Sequence, residues 1–238
     1  MVAALVGVLI GVSKAGFGGV GPLFVALMAS IMGARTSTGF LLPLLIVGDI
    51  LAVCAFRQHA NWTYVRRLLP PAMIGVVVGF FAMRVLDEGV YKPVIGVTVL
   101  VLCVLQILRM TRESWFAHLP HSRALGIGMG SACGVTTMLS NGSGPIASWY
   151  FLVSGLPKME LVGTAAWFFL LINLWKVPFS IGLGLIHLDS LWFNLLLAPF
   201  VPLGILVGRW ALYRISQTFF EWMLLAFALI AALRLLLF

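Results

Sequence analysis

The sequence predicts an all-α, polytopic integral membrane protein made of two homologous halves. Three observations predict it. Hydrophobic residues make up 62% of the 238-residue chain and charged residues only 9%, against about 25% charged in a soluble domain. The hydrophobic residues fall into runs at approximately 2–29, 37–56, 68–86, 93–108, 124–155, 161–185, 190–208 and 217–237, where a spanning helix needs roughly 20 apolar residues. Two of these runs are longer than one span and are broken by a similar glycine-proline pattern. This composition excludes a soluble globular enzyme, a disordered chain and a secreted disulfide scaffold. The net charge is +8, from 15 basic and 7 acidic residues. The basic residues lie mostly between apolar runs, so topology and lipid headgroups account for them before nucleic acid does.

Taken in order, the first run opens with MVAALVGVLIG, which lacks the basic start and small-residue cleavage site of a signal peptide. It reads as the start of the first membrane segment. The run breaks at Ser13-Lys14-Ala15-Gly16-Phe17-Gly18-Gly19-Val20-Gly21-Pro22. Runs 37–56, 68–86 and 93–108 then read as spans. The fifth run breaks at Thr136-Thr137-Met138-Leu139-Ser140-Asn141-Gly142-Ser143-Gly144-Pro145. Three further spans follow. Hydrocarbon does not tolerate exposed backbone polar groups, so broken helices at that depth must be buried in protein or line a wet cavity. Glycine supplies the unusual dihedrals of a break. Proline tolerates a missing donor where the helix resumes.

The two breaks are also an internal repeat. Gly19-Val20-Gly21-Pro22 matches Gly142-Ser143-Gly144-Pro145 at an offset of 123 residues. Asp49 then falls near Asn173, and Pro70, Gly75 and Gly79 match Pro199, Gly204 and Gly208. The expected organisation is a first transmembrane repeat over 1–110, a connecting loop over 111–123 and a second repeat over 124–238. If both broken runs return to the side they entered, one side of the membrane holds Arg57, Arg66, Arg67, Arg109, Arg112, Arg123, Lys158, Arg209 and Arg214. The other side then holds little more than Arg35, Arg84 and Lys92. The positive-inside rule prefers that arrangement. Each half is then a re-entrant helix pair plus about three spans, and an odd number of spans inverts the repeats. An eight-crossing arrangement with parallel repeats fits the run lengths equally well.

At these residues the chain resembles the TauE/SafE sulfite-exporter family of membrane transporters. The paired breaks carry the resemblance together with three longer stretches. These are Leu41-Leu42-Pro43 through Gly48-Asp49 to Arg57-Gln58-His59-Ala60-Asn61-Trp62, Gly155-Leu156-Pro157-Lys158 with Gly163-Thr164, and Trp167-Phe168-Phe169 through Asn173 to Lys176-Val177-Pro178-Phe179-Ser180. The resemblance covers essentially the whole chain. It implies a carrier of small anions, often sulfur oxyanions and organosulfonates such as sulfite, thiosulfate and sulfoacetate. It also implies a bacterial inner membrane as the location. The breaks here, GFGGVGP and NGSGP, depart from the family's commoner glycine triplet, which leaves the exact anion open.

Lys14, Asp49 and Lys176 are the ionisable residues deepest in apolar sequence. A charge at mid-membrane costs roughly 2.5–3.5 kcal/mol even on an insertion scale, so each needs a partner, a wet cavity or a proton. Lys14 stands at the first break, beside the helix-end amides expected at Gly18, Gly19 and Gly21, and suits an anion cradle. The plainer reading is a permanent Lys14–Asp49 bridge between two helices. Lys176 lies three residues after Asn173 and shares its helix face; it reads as a second cation at the site, or as a lysine snorkelling to an interface or paired with Asp49. Asp49 reads as an ion-pair partner or a carrier of a coupling proton. Ser13, Asn141, Gly142, Ser143 and Gly144, with Thr136, Thr137 and Ser140, supply small donors near the breaks. They suit sulfonate oxygens, or they satisfy freed backbone. Asn141 is favoured because its amide carries two donors.

Other residues read as structural. Cys54, Cys103 and Cys133 sit in apolar runs with no CxxC pair, as buried free cysteine commonly does. Trp149, Trp167 and Trp175 suit packing or the interfacial belt. His59, His118, His121 and His187 show no metal-ligand spacing. No metal site and no cofactor is expected. The glycine pairs Gly75/Gly79 and Gly204/Gly208 allow close helix packing, internally or in a homodimer. The leading function is a secondary transporter or uniporter of small anions, with a midplane site where the breaks meet and alternating access between the halves. The alternative is a passive channel built from two re-entrant hairpins. A third class, an intramembrane protease, rests on Gly142-Ser143-Gly144, which faintly resembles the rhomboid serine motif. Asn141 stands where that motif has glycine, and no deep histidine supplies a base. The chain is therefore expected not to be an enzyme. Its partners are a small anion and the lipid bilayer, with no nucleic acid.

Overall fold

The computed structural model describes residues 2–15, 20–85, 87–111 and 123–214, with isolated positions 219, 222, 226, 229 and 230. Gly18 and Gly19, most of the connecting loop and most of the 217–237 run lie outside the described residues. All regular elements among the described residues are helical. The first broken run forms α1 (Val2–Lys14) and α2 (Gly21–Met32), followed by α3 (Ala34–Phe56), α4 (Trp62–Val85) and α5 (Glu88–Thr111). The second broken run forms α6 (Arg123–Ser140) and α7 (Gly144–Val153), followed by α8 (Lys158–Gly182), α9 (Leu188–Leu197) and α10 (Phe200–Arg214). Both resuming helices start at the glycine-proline step, Gly21-Pro22 and Gly144-Pro145. Proline fits there because the first helical N–H has no partner in the helix.

Among the described residues three helical stretches are long and apolar enough to cross a membrane, Arg35–His59, Trp62–Val85 and Met159–Gly182. The pair Asp189–Leu197 and Phe200–Gly208 makes a fourth if its 41° bend lies within one span. The sequence reads 190–208 as one run. Pro199 sits at the bend and cannot donate to the preceding turn. Pro70 and Pro71, in contrast, lie inside the continuous α4. The chain is an integral membrane protein whose described residues are all-helical.

Two close helix pairs organise it, and glycine makes both. A methyl group on Gly134 of α6 would stand 2.0 Å from the Ala72 carbonyl oxygen of α4, and one on Gly75 of α4 would stand 2.3 Å from the Ser131 oxygen. Along the pair, Gly130 meets Leu68 and Pro71 while Gly79 meets Met138, so α4 and α6 run in the same direction. The α1–α10 pair repeats this. Methyl groups on Gly11 and Gly204 would each stand 2.1 Å from a backbone oxygen of the other helix, Val201 and Val8. Gly7 meets Phe200 and Gly208 meets Val12 and Ala15, again in parallel.

Helices α3 and α8 cross in opposite directions. Gly39 near the start of α3 packs on the Leu185 backbone just past α8, and Gly163 near the start of α8 packs on the Phe56 carbonyl at the end of α3. These contacts define two ends of the molecule. The basic end holds exposed Arg57, Arg66, Arg67 and Arg123. The opposite end holds Gly33, Arg35, Arg84 and Gly184. α7 folds back on α6, because Gly126 near the start of α6 faces the Tyr150 ring and the Tyr64 hydroxyl donates to the Ser154 carbonyl at 3.2 Å. That hairpin therefore starts and ends at the basic end. α2 returns to the start of α3 through Gly33, whose φ of 86° and ψ of 152° only glycine adopts readily. The α1–α2 hairpin belongs to the opposite end.

A side chain at Gly134 has to displace backbone rather than a flexible neighbour. Gly134→Val is expected to cost about 1–3 kcal/mol, the overpacking scale, and to lower the thermal midpoint in detergent. Gly128→Val, where an added carbon meets nothing within 4 Å, is expected to leave the midpoint unchanged.

Candidate functional site

The tips of both hairpins converge on one cavity against the α3–α8 crossing. Ser13, Lys14 and Gly21 come from the first break, and Asn141, Ser143 and Gly144 from the second. Asn173 of α8 and Thr137 of α6 complete its polar lining together with Ser148. Phe24, Leu45 and Phe169 form apolar wall, and Ala52, Leu161 and Val162 continue it toward the basic end. The cavity measures about 70 Å³ as swept by the centre of a water-sized sphere. One water needs roughly 10–15 Å³ on that measure, so a small polyatomic ion fits. The first turns of α2 and α7 reach it through Gly21 and Gly144 and bring the partly positive ends of two helices to it.

Lys14 is the one charged residue among the described lining residues. Its Nζ lies 2.5 Å from Asp49 Oδ1, with the lysine side chain 10% exposed and the aspartate 0%. Asn173 Nδ2 donates to the other carboxylate oxygen at 2.7 Å. The ammonium also stands 4.7 Å from the Phe169 ring centroid, within cation–π range. Asp49 does not line the cavity; it sits behind Lys14 and Asn173 and holds both. Asn173 Oδ1 is buried and accepts no hydrogen bond among the described residues.

The second break is held differently. Asn141 has a φ of 55°, the left-handed region in which asparagine is one of the better-tolerated non-glycine residues. Its Nδ2 donates to the Thr38 carbonyl at 2.9 Å, and its Oδ1 accepts from Lys176. Lys176 Nζ also donates to the Thr137 carbonyl at 2.7 Å. Lys176 thus adds a second donor to the Thr137 carbonyl at the end of α6, which already accepts the Asn141 backbone N–H at 3.0 Å. Thr38 Oγ1 donates to the Leu139 carbonyl at 3.1 Å, which closes the same tip against α3. Thr136 and Ser140 donate to carbonyls one turn back in α6.

Of the sequence-derived candidates, the cavity brings together Ser13, Lys14, Gly21, Asn141, Ser143, Gly144 and Asn173. Gly142 is packed against Leu102 and Ser140 instead. Lys176 is fully buried on the far side of Thr137 and Asn141 and does not line the cavity. Gly18 and Gly19 are outside the described residues. Ser148 and Phe169 were missed. Helical spacing offered a signal for both, four residues after Gly144 and four before Asn173. Among the described residues no three His, Cys, Asp or Glu side chains gather as a metal site would require.

These features define a membrane protein whose broken helices enclose a small polar cavity with a cation at its wall. The family model described as Sulfite exporter TauE/SafE matches residues 3–235, and the chain belongs to that family. The family is one of membrane transporters of sulfite or related anions rather than enzymes. No curated protein and no solved structure matches the chain.

Removing one partner of a buried ion pair leaves the other uncompensated. Lys14→Met is therefore expected to destabilise the protein by about 3–5 kcal/mol, read as a lower denaturation midpoint in detergent. Adding Asp49→Leu should restore most of the loss. A Lys14→Met protein as stable as wild type would show that Asp49 does not depend on the lysine.

Proposed function

We propose that the chain is a secondary carrier or uniporter for a small anion, a sulfur oxyanion or organosulfonate, bound where the two hairpin tips meet. The observation that carries the reading is the convergence of both breaks on one cavity with Lys14 at its wall. Lys14, the first-turn amides at Gly21 and Gly144, and the hydroxyls of Ser13, Ser143 and Ser148 offer donors to an oxyanion. Asn173 Oδ1 accepts from a hydroxyl on the anion or from a bridging water. Phe24 and Phe169 provide surface for a short organic tail.

In this reading the halves are inverted repeats and the hairpins are re-entrant. The supporting facts are the two parallel glycine-paired contacts, α4–α6 and α1–α10, and the placement of the two hairpins at opposite ends. Repeat mates Asp49 and Asn173 touch across the α3–α8 crossing, as residues beside a two-fold axis do. The basic end faces the cytoplasm by the positive-inside rule, and the membrane is a bacterial inner membrane. The cavity then faces inward, because its wall runs to Leu161 and Val162 at that end. Rocking of one half against the other carries the anion across.

Anion uptake and counterflow in proteoliposomes test this, comparing sulfite, thiosulfate, sulfoacetate, sulfate and acetate. Saturable counterflow of a sulfur anion is expected, with at least a tenfold loss in Lys14→Ala, about 1.4 kcal/mol or more. Flux without saturation or counterflow would favour a pore, and no flux in folded protein would remove the substrate class.

A further inference from the structure

We propose that Lys176 is the substrate-facing cation of a second cavity, open to the end opposite the basic one and closed in this conformation. The proposal rests on the carrier reading above. In a transporter of inverted repeats, the opposite-facing form exchanges the conformations of the two halves. The residues that line that second cavity are then the repeat mates of those that line the first.

The register between α3 and α8 is fixed by geometry as well as sequence. The helices start 124 residues apart, at Ala34 and Lys158. Gly39 and Gly163, also 124 apart, perform the same packing at opposite ends of the crossing. Asp49 and Asn173, again 124 apart, hydrogen-bond to one another. In this register the cavity residues Leu161, Val162 and Ala52 have as mates Ser37, Thr38 and Lys176. All three mates are polar and buried, at 1%, 1% and 0% exposure.

That coincidence needs an explanation. The Thr38 hydroxyl is compensated by the Leu139 carbonyl, so the weight falls on Lys176, because burying a charge is costly without compensation. Lys176 has only a carbonyl and an amide oxygen as partners, and no carboxylate pairs with it among the described residues. Ser180, one turn further toward the opposite end on the same face of α8, is 0% exposed with no partner for its hydroxyl. The stretch from Asn173 to Ser180 covers roughly 10 Å at 1.5 Å per residue, a polar track leading away from the present cavity.

The exchange also says what opens. Thr137 is the mate of Lys14 at 123 residues, so the Lys176–Thr137 contact corresponds to the Ala52–Lys14 pair. Ala52 and Lys14 line the cavity here. In the exchanged form the Thr137 carbonyl and Asn141 withdraw from Lys176, its ammonium meets the anion, and Ser37 and Thr38 line the mouth.

Single cysteines test this in a background where Cys54, Cys103 and Cys133 are replaced by serine. Leu161→Cys and Ser37→Cys are compared in oriented proteoliposomes with a membrane-impermeant maleimide, with sulfoacetate as the transported anion because it does not consume the reagent. Leu161→Cys is expected to label from the basic end. Ser37→Cys is expected to label from the opposite end only, several-fold faster during anion exchange than at rest. Lys176→Gln should slow counterflow several-fold while sulfoacetate still protects Leu161→Cys from the reagent. If Ser37→Cys does not fold, Thr38→Cys, the mate of Val162, carries the same expectation. Wild-type counterflow with Leu161→Cys labelled and Ser37→Cys inert from both ends would overturn this inference alone. Labelling of Ser37→Cys from the basic end would also overturn it. Absence of both labelling and flux would overturn the carrier reading with it.

Discussion

Asp49 is a carboxylate with no exposed surface, and three separate elements are arranged around it. Its own helix α3 carries it into the centre of the molecule. One oxygen holds Lys14 at the end of α1, and the other holds Asn173 on α8. A lone carboxylate at this depth would cost several kcal/mol, so the three elements are coupled: none can leave without exposing the charge of another. The tip of the second hairpin is fastened to the same pair of helices by different chemistry. Lys176 of α8 and the Thr38 carbonyl of α3 hold Asn141 from two sides. Both broken segments are therefore anchored on the α3–α8 crossing, and the cavity is the space left between the two anchors.

The backbone explains why the anchors are needed. Hydrocarbon supplies no hydrogen bonds, so every break must be satisfied from within. At the second break the backbone does part of this itself, with the Asn141 N–H donating to the Thr137 carbonyl and the Gly142 N–H to the Thr136 carbonyl. Neighbouring helices do the rest, and they come close enough because glycine faces backbone at Gly11, Gly75, Gly134 and Gly204. Close packing of the outer helices and a polar cavity between the hairpin tips are thus two parts of one arrangement. The glycine contacts place the first hairpin against α10 and the second against α4, and the hairpin tips then bring polar groups to the cavity.

Much of this was legible in the chain, and the legible part had simple physical causes. The breaks were visible because Gly-Pro inside an apolar run has few other uses. Lys14 and Asp49 were visible because charge is rare at that depth, and Asn173 followed from the repeat. The bend between α9 and α10 was not read from the run 190–208. Proline there breaks the helix at Pro199 but leaves α4 continuous at Pro70 and Pro71, and packing decides between those outcomes. The fate of Asn141 was not legible either. Its two donors made it attractive as a binding group, yet its oxygen accepts from Lys176 and its nitrogen donates to Thr38, a residue 103 positions away in sequence. Lys176 shares a helix face with Asn173, but its ammonium turns to the back of the second break, which only tertiary placement reveals.

The central claim is that the cation of the buried pair faces the cavity while its carboxylate faces away from it. The most direct test exchanges the two residues, Lys14→Asp together with Asp49→Lys, and measures anion counterflow in proteoliposomes beside thermal stability in detergent. The pair keeps one charge of each sign, so the account predicts a folded protein. A carboxylate then stands at the cavity wall, so the account also predicts loss of saturable anion counterflow. A folded exchanged protein that transports the same anion with wild-type saturation and counterflow would contradict it and reduce Lys14 to a structural tie.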